Sequence, residues 1–218
     1  MAADIDIANL ALSHVSADAR VTSLDPVDPT VEALYCSRFL PIARDNLLEK
    51  HTWSFATKRA LLSPVAFDED MYPEWGYAYT LPANFMRCVG LITPTGLISP
   101  TSPQFSTERV VGFEGLFDYA IETVGSTSTL FCNLDEVRLR YVERVTDSTR
   151  YSSLFVTALA YELAGMLVGP LRKDPAMKRE MAGLAMQAWM QASGVDSAGQ
   201  TEGERARRNH TAPWHADR

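Results

Sequence analysis

The sequence predicts an α+β protein: a four-helix bundle of two N-terminal and two C-terminal helices, an inserted antiparallel β module and an extended C-terminal tail. Apolar residues recur at helical spacing in residues 1–52 and again in 146–193, which predicts the two halves of the bundle. Residues 53–145 carry short β-branched and aromatic runs between prolines and glycines, as strands do. Residues 194–218 lose both periodicity and hydrophobicity, which is typical of a flexible tail. Helices on both sides of a strand-rich segment pack most economically as one bundle.

Cap residues and prolines set the expected helix boundaries. Asp4 is expected to cap the first helix, and Asp28 followed by Pro29 to start the second. An aspartate accepts hydrogen bonds from the free N–H groups at a helix start, and proline at the first helical position loses no bond. Pro41 predicts a kink near residues 38–40, because it removes one backbone donor and its ring crowds the preceding turn.

The C-terminal half begins with residues 155–168, of which only Thr157, Glu162 and Gly165 are not apolar. A membrane span needs about 20 apolar residues, so a helix buried in a bundle is the better interpretation. Gly169-Pro170 is expected to end it. Asp174-Pro175 then starts the last helix with the cap chemistry of Asp28-Pro29.

The clearest strand of the β segment is Glu-Val-Arg-Leu-Arg-Tyr-Val. Val137, Leu139 and Tyr141 alternate in it with Arg138 and Arg140, which predicts a half-buried strand with a solvated basic face. The stretches AYTLPANFMRCVGLI and DYAIETV predict further strands. Trp53 and Phe55 stand where the chain leaves the helices, and large aromatics at that place can join the two modules.

Composition and charge exclude several classes of protein. The 218 residues carry a net charge of −7, and residues 61–145 hold 11 of the 27 acidic residues against 5 bases. This balance argues against tight duplex binding by charge neutralisation. Without a long apolar run or a basic N-terminal region, we expect a soluble protein that lacks a secretion signal and does not enter membranes. Cys36, Cys88 and Cys132 form no CxxC motif and are expected to be small buried hydrophobes.

Signatures of catalysis and of cofactors are missing. Of the four histidines, His14, His51, His210 and His215, none lies in residues 52–209, which removes most triad-type mechanisms from the β segment. His210 and His215 lack the further ligands that a metal site needs. Asp68 and Asp70 have the alternate spacing of a calcium loop. Pro73 and Tyr79, however, occupy the positions that require glycine and a bidentate acid. We therefore predict no catalytic residue, no metal and no cofactor.

A glycan hydrolase is the alternative function that would involve catalysis. Such an enzyme needs only two carboxylates at the right separation, and Glu108, Glu114, Asp118 and Glu122 could supply them. Solvated acids at a sheet edge are the simpler interpretation, since charges there also prevent edge-to-edge pairing. A regulator or binding module without catalytic activity is a third possibility.

Four stretches carry a family resemblance: ANLALSHVSADARVTSLD, FLPIARDNLLEKHTWSFATKRALL, WGYAYTLPANFMRCVGLI and VRLRYVERVTDSTRYSSLFVTALAYELAGMLVGPL. In this order they resemble the head-to-tail adaptor proteins of tailed bacteriophages, of the tail tubular protein A type, over about residues 8–175. The most specific pieces run from Pro41 to Ala56 and from Tyr79 to Pro82. The Pro41 kink is part of the family's pattern.

The resemblance implies a structural protein at the head-tail junction of a virion, made in the host cytoplasm. Adaptors of this kind form a ring, usually of twelve copies, beneath the portal protein, and a tail nozzle or tail tube protein assembles on them. DNA passes through the channel without specific binding. The core residues that the resemblance assigns to the module junction are Trp53, Phe55, Tyr79, Leu81, Tyr141, Phe155 and Leu159.

The C-terminal tail is the expected portal-docking element. Its candidate docking residues are Arg205, Arg207, Arg208, Trp214 and His215. Arginine and tryptophan are enriched at binding hot spots, and the C-termini of such adaptors commonly extend to the portal. An inert tail is the alternative, because chain termini are often unstructured.

Overall fold

The structure is a computed structural model of the chain and describes residues 2–15, 20–92 and 118–210. These residues divide into two compact units. The first unit contains residues 1–55 and 145–218, and the second contains residues 56–144. In the described ranges there are four α-helices, which belong to the first unit, and seven strands, which belong to the second.

The helices of the first unit pack around a central one. They are α1 (Asp4–His14), α2 (Val31–Lys50), α3 (Ser153–Arg172) and α4 (Pro175–His210). Helix α3 packs against each of the other three, whereas α1 and α2 contact one another little. Its central place follows from its composition, since a helix that is apolar around its circumference must be covered on every side. By length and composition alone α3 could also cross a membrane, but its packing is that of a core helix.

Two of the predicted helix boundaries are wrong. Thr30, not Asp28, caps α2, and its hydroxyl accepts from the N–H of Ala33. The Asp28 carboxylate instead accepts from the N–H groups of Thr22 and Ser23, which closes the preceding loop and lowers the pKa of Asp28. Helix α3 passes through Gly169 and Pro170, because the missing proline N–H costs only one bond in the last turn.

Other boundaries agree with the sequence. Asp174 caps α4, and its carboxylate accepts from the N–H groups of Ala176 and Met177. Helix α1 begins at Asp4, one residue after its N-cap Ala3, so the cap prediction is off by one position. Pro41 lies inside α2, which continues on both sides of it.

The strands of the second unit form two antiparallel sheets. One has the order β1-β7-β4 and the other the order β2-β3-β6-β5. Their bounds are β1 Thr57–Leu61, β2 Ser63–Pro64, β3 Tyr77–Thr80, β4 Phe85–Ile92, β5 Tyr119–Val124, β6 Thr127–Cys132 and β7 Arg138–Glu143. The alternation predicted for β7 is confirmed, since Leu139 and Tyr141 are buried while Arg138 is exposed.

The two sheets share one core. Leu91, Leu139 and Tyr141 of the three-stranded sheet belong to the same buried cluster as Tyr79 and Leu130 of the four-stranded sheet. Each sheet therefore turns one face to the core and the other face away from it. The strand β6 was missed by the sequence analysis, which had no pattern for the segment after the Gly125 turn.

The predicted four-helix bundle with one inserted antiparallel β module is wrong. The chain is α+β, but its helices surround α3 rather than pair as two equal halves, and its strands form two sheets. The helices are also too unequal for a regular bundle, at 11 residues in α1 and 36 in α4.

The extended tail of that prediction is likewise replaced by helix as far as His210. Three glycines, Gly194, Gly199 and Gly203, lie inside α4. Each glycine disfavours the helix by about 1 kcal/mol relative to alanine. Residues between Gly194 and Gly203 make contacts with distant parts of the chain, and these contacts help to explain why the helix continues through the glycines.

Candidate functional site

Trp53 lies at the centre of an aromatic cluster in the first unit. Its side chain is fully buried, and its indole N–H donates a 2.8 Å hydrogen bond to the carbonyl oxygen of Leu47. The ring of Phe155 meets that of Trp53 edge-on, with 5.0 Å between centroids. Phe55 and Tyr151 also stack against this group. The cluster fixes the chain where it leaves α2, so the Trp-x-Phe pair has a packing role.

The seven predicted core residues fall into two groups. Trp53, Phe55 and Phe155 pack together, and Leu159 is buried one turn further along α3. The other three, Tyr79, Leu81 and Tyr141, belong to the core of the second unit. Their common role as a junction between modules stays a prediction.

A polar cluster that the sequence analysis missed ties α4 to the chain after α2. The Asp196 carboxylate accepts from the Ser54 hydroxyl at 2.5 Å and from the Ser54 N–H at 3.1 Å. It also meets His51 Nε2 at 3.2 Å. The Gln200 amide donates to Asp196 at 2.7 Å and to the carbonyl oxygen of Thr52 at 2.9 Å. These bonds hold the C-terminal part of α4 in place.

The residue types of this cluster resemble those of a catalytic triad, but their arrangement does not. In a triad the histidine lies between the serine and the acid and takes the proton of the serine. Here Ser54 and His51 both contact Asp196, and the described structure shows no hydrogen bond between them. Asp196 therefore acts as a shared acceptor that joins two segments.

Asp196 was missed because its partners are far away in sequence. Ser54 is 142 residues distant, and the polar composition after Gly194 suggested a tail. One signal was present. Met181, Ala185 and Ala192 form the buried face of α4, and Asp196 and Gln200 continue it at intervals of four residues.

Asp196→Ala is expected to lower the free energy of unfolding by about 2–3 kcal/mol, because it leaves several donors without their charged acceptor. Chemical denaturation measures this change. Glu180→Ala is the matched control: Glu180 is exposed on the same helix, and its loss should cost under about 0.5 kcal/mol. Equal effects of the two variants would contradict a structural role for the Asp196 cluster.

A buried carboxylate, Glu143, lies at the end of β7, the central strand of the three-stranded sheet. It is 2% exposed, and its Oε2 lies 2.7 Å from Lys58 Nζ and accepts a 2.6 Å bond from the Asn84 amide. The Tyr141 hydroxyl donates to Asn84 Oδ1 at 3.4 Å, and burial raises the pKa of Tyr141. A paired and hydrogen-bonded acid of this kind is typical of a structural interaction.

The acids considered for glycan hydrolysis are only partly described. Asp118 and Glu122 are exposed, and Glu122 lies on β5. Glu108 and Glu114 lie outside the described residues. Of the four candidates the structure thus places only Asp118 and Glu122, and the hydrolase alternative stays a prediction.

Nucleophilic cysteine and metal chemistry find no support in the described ranges. All three cysteines are free and buried, and burial raises the pKa of Cys36 to about 11. Burial raises the pKa values of Cys88 and Cys132 as well, so the thiols stay protonated near neutral pH. Among residues 2–15, 20–92 and 118–210 no group of three or more His, Cys, Asp or Glu residues could hold a metal ion.

Two helices of the first unit expose apolar side chains. On α2, Val31, Leu34 and Ile42 are 58%, 49% and 49% exposed. On α4, Met186 and Met190 are 49% and 55% exposed. Residues 31, 34 and 42 lie on one side of α2, where the exposed Arg38 stands between Leu34 and Ile42. Exposed apolar side chains grouped on one side of a helix are found on surfaces that contact another protein.

Some of the predicted docking residues lie in α4, and the others lie outside the described residues. Arg205, Arg207 and Arg208 lie within the bounds of α4. Trp214 and His215 lie outside the described residues. Their role in docking stays a prediction.

Comparison with known proteins adds no relative. No protein-family model matches the chain, and no curated protein matches it.

Proposed function

We propose that this protein is a structural head-to-tail adaptor of a tailed bacteriophage. In this role it forms a ring, of twelve copies on the family pattern, between the portal protein and a tail nozzle or tail tube protein. DNA passes through the ring without specific binding. The support from sequence is the ordered resemblance of four stretches to such adaptors.

The structural observation that carries the proposal is the group of apolar side chains exposed on one side of α2. Val31, Leu34 and Ile42 lie on the outside of a helix whose inner residues Ala33, Leu40 and Leu47 are buried. These three exposed side chains cost solubility unless another protein covers them. The motif that begins at Pro41 lies on this same helix. An adaptor, which is enclosed in an assembly, explains such a surface.

The proposal is tested by mixing the purified protein with the portal protein of the same phage. Alone at micromolar concentration the adaptor should be a monomer, because the net charge of −7 repels like copies. With portal rings it should co-elute in size-exclusion chromatography and add a ring of density in negative-stain images.

Leu34→Asp combined with Ile42→Asp should abolish this co-elution. Both side chains are 49% exposed, so thermal unfolding should change little. Val124→Asp, at a 38% exposed position of β5, is the control and should leave co-elution intact. A stable dodecamer without portal, or clearing of peptidoglycan by the purified protein, would contradict the proposal.

A further inference from the structure

The outer face of the three-stranded sheet is basic. In β1 and β7, Arg59 lies opposite Arg140 and Leu61 opposite Arg138. Directly opposite residues share one face of a sheet, and these four alternate with Ala60, Leu139 and Tyr141, which face the core. Arg87 of β4, opposite Val142, shares the outer face. None of the positions paired on that face is acidic.

A depression lies at one end of this arginine face, where β1 and β4 end and β7 begins. Its volume is about 390 Å³, and it is lined by Arg59, Ala60, Leu61, Ile92 and Arg138. Leu61 is 65% exposed. Arg59 and Arg138 are also exposed, and in the described chain neither side chain has a hydrogen-bond or ion-pair partner. These two arginines thus present unpaired positive charge beside an exposed leucine.

The complementary surface is an acidic loop in the same unit. Its exposed acids are Asp68, Glu69, Asp70 and Glu74. Met71 projects among them and is 73% exposed. The loop has a defined shape, since the N–H groups of Met71 and Tyr72 donate to the carbonyl oxygen of Asp68.

The acidic loop and the arginine face lie on opposite sides of the second unit. Phe67 and Tyr72 of the loop pack on Phe131 of β6, with ring centroids 5.5 and 4.6 Å away. Phe131 alternates with Leu130 and Cys132, which belong to the core, so Phe131 is on the outer face of the four-stranded sheet. The two surfaces therefore cannot meet within one copy of the chain.

We infer that the arginine face binds the acidic loop of a second copy of this chain. Arg59 and Arg138 pair with the carboxylates of Asp68 and Asp70, while Met71 fills the depression beside Leu61. A contact between two different surfaces is heterologous, and it closes into a ring when the rotation between copies permits. The inference deepens the proposed adaptor function, since it names the contact between neighbours in the ring.

A second copy fits better than a nucleic acid. The arginine face is confined to one side of a chain with net charge −7, and a duplex gripped there would be repelled by the acids elsewhere. An exposed leucine beside the depression also suits an apolar side chain better than a phosphate. Exposed ion pairs contribute little individually, so the contact is weak between free monomers and forms within an assembly.

Charge exchange tests the inference without portal protein. Self-association of the full chain is measured by sedimentation velocity at millimolar protein and low salt, where charges act over about 30 Å. Variant one is R59E/R138E, and variant two is D68K/D70K. The wild-type protein should associate, and added salt should reverse the association. Each variant alone should associate at least about tenfold more weakly, because like charges then face one another.

An equimolar mixture of the two variants should restore association. In the mixture the acidic face of variant one meets the basic loop of variant two, and the acidic loop of variant one meets the basic face of variant two. R59Q/R138Q, measured with circular dichroism, controls for folding and should weaken self-association. Mixed with variant two it should form only the one unaltered contact, between its own acidic loop and the arginines of variant two, and so give dimers but no larger species.

The inference is overturned if the mixture of the two variants stays monomeric, or if each variant alone associates as strongly as the wild type. It is also overturned if wild-type protein fails to associate yet binds duplex DNA through Arg59 and Arg138. Association through these surfaces with no binding to portal rings would support the contact while refuting the adaptor function. Portal binding that neither variant affects would support the adaptor function and overturn the contact.

Discussion

Trp53→Ala is expected to lower the free energy of unfolding by about 3–5 kcal/mol, the usual cost of truncating a large aromatic in a core. Trp53 is fully buried, and its indole donates to the carbonyl oxygen of Leu47 in the last turns of α2. Removing the ring also takes away the edge-on contact with Phe155, so the segment between α2 and β1 loses its anchor. Urea denaturation followed by circular dichroism measures the change.

Two further variants separate the parts of this effect. Trp53→Phe keeps much of the apolar volume and loses the hydrogen bond, so it should cost less than the alanine variant. Met71→Ala, at a position 73% exposed, is the surface control and should stay within about 0.5 kcal/mol of the wild type. A cost under about 1 kcal/mol for Trp53→Ala would mean that the cluster does not stabilise the first unit.

Replacing Arg205, Arg207 and Arg208 with alanine is expected to weaken binding to portal rings by about 2–4 kcal/mol, roughly 30- to 1,000-fold. The arginines would otherwise pair with acids of the portal, and Trp214 would fill an apolar pocket there. Deleting residues 211–218, which removes Trp214 and His215, should weaken binding comparably. Surface plasmon resonance on immobilised portal rings measures both variants.

The short deletion begins at residue 211 so that it leaves the hydrogen bonds of the Asp196 cluster intact. A deletion from Gly194 onward would also remove Asp196 and Gln200, whose bonds to Ser54 and Thr52 hold α4. That longer deletion should therefore lower the melting temperature, whereas deletion of 211–218 should not. If both the arginine variant and the short deletion join portal rings at full occupancy, the C-terminal residues are inert and portal docking lies elsewhere.

Local chemistry was enough to predict several features of this protein. The Asp174 cap, the alternation of Leu139 and Tyr141 in β7 and the burial of residues 155–168 need only neighbours in sequence and the period of the element. The three buried cysteines belong here too. The function of the exposed acids could not be predicted in this way, since the separation between two side chains cannot be read from a sequence.

Only the tertiary structure decided which elements are partners. Asp28 is of a residue type that caps helices, but its carboxylate instead accepts hydrogen bonds from two N–H groups of its own loop. The sequence showed four amphipathic or apolar helices, but it could not show that three of them surround α3. It showed strands, but whether they form one sheet or two depends on pairings between distant segments such as β1 and β7.

The residues after Gly194 illustrate the difference most directly. By composition they form a tail, because glycine and polar side chains do not favour helix on their own. In the fold, Asp196 and Gln200 reach Ser54 and Thr52, and these long-range hydrogen bonds help stabilise a helix that local preference does not favour. The sequence by itself determined the local elements and their buried faces. The contacts between distant segments, which depend on the folded chain, decided how far those elements extend and what they pack against.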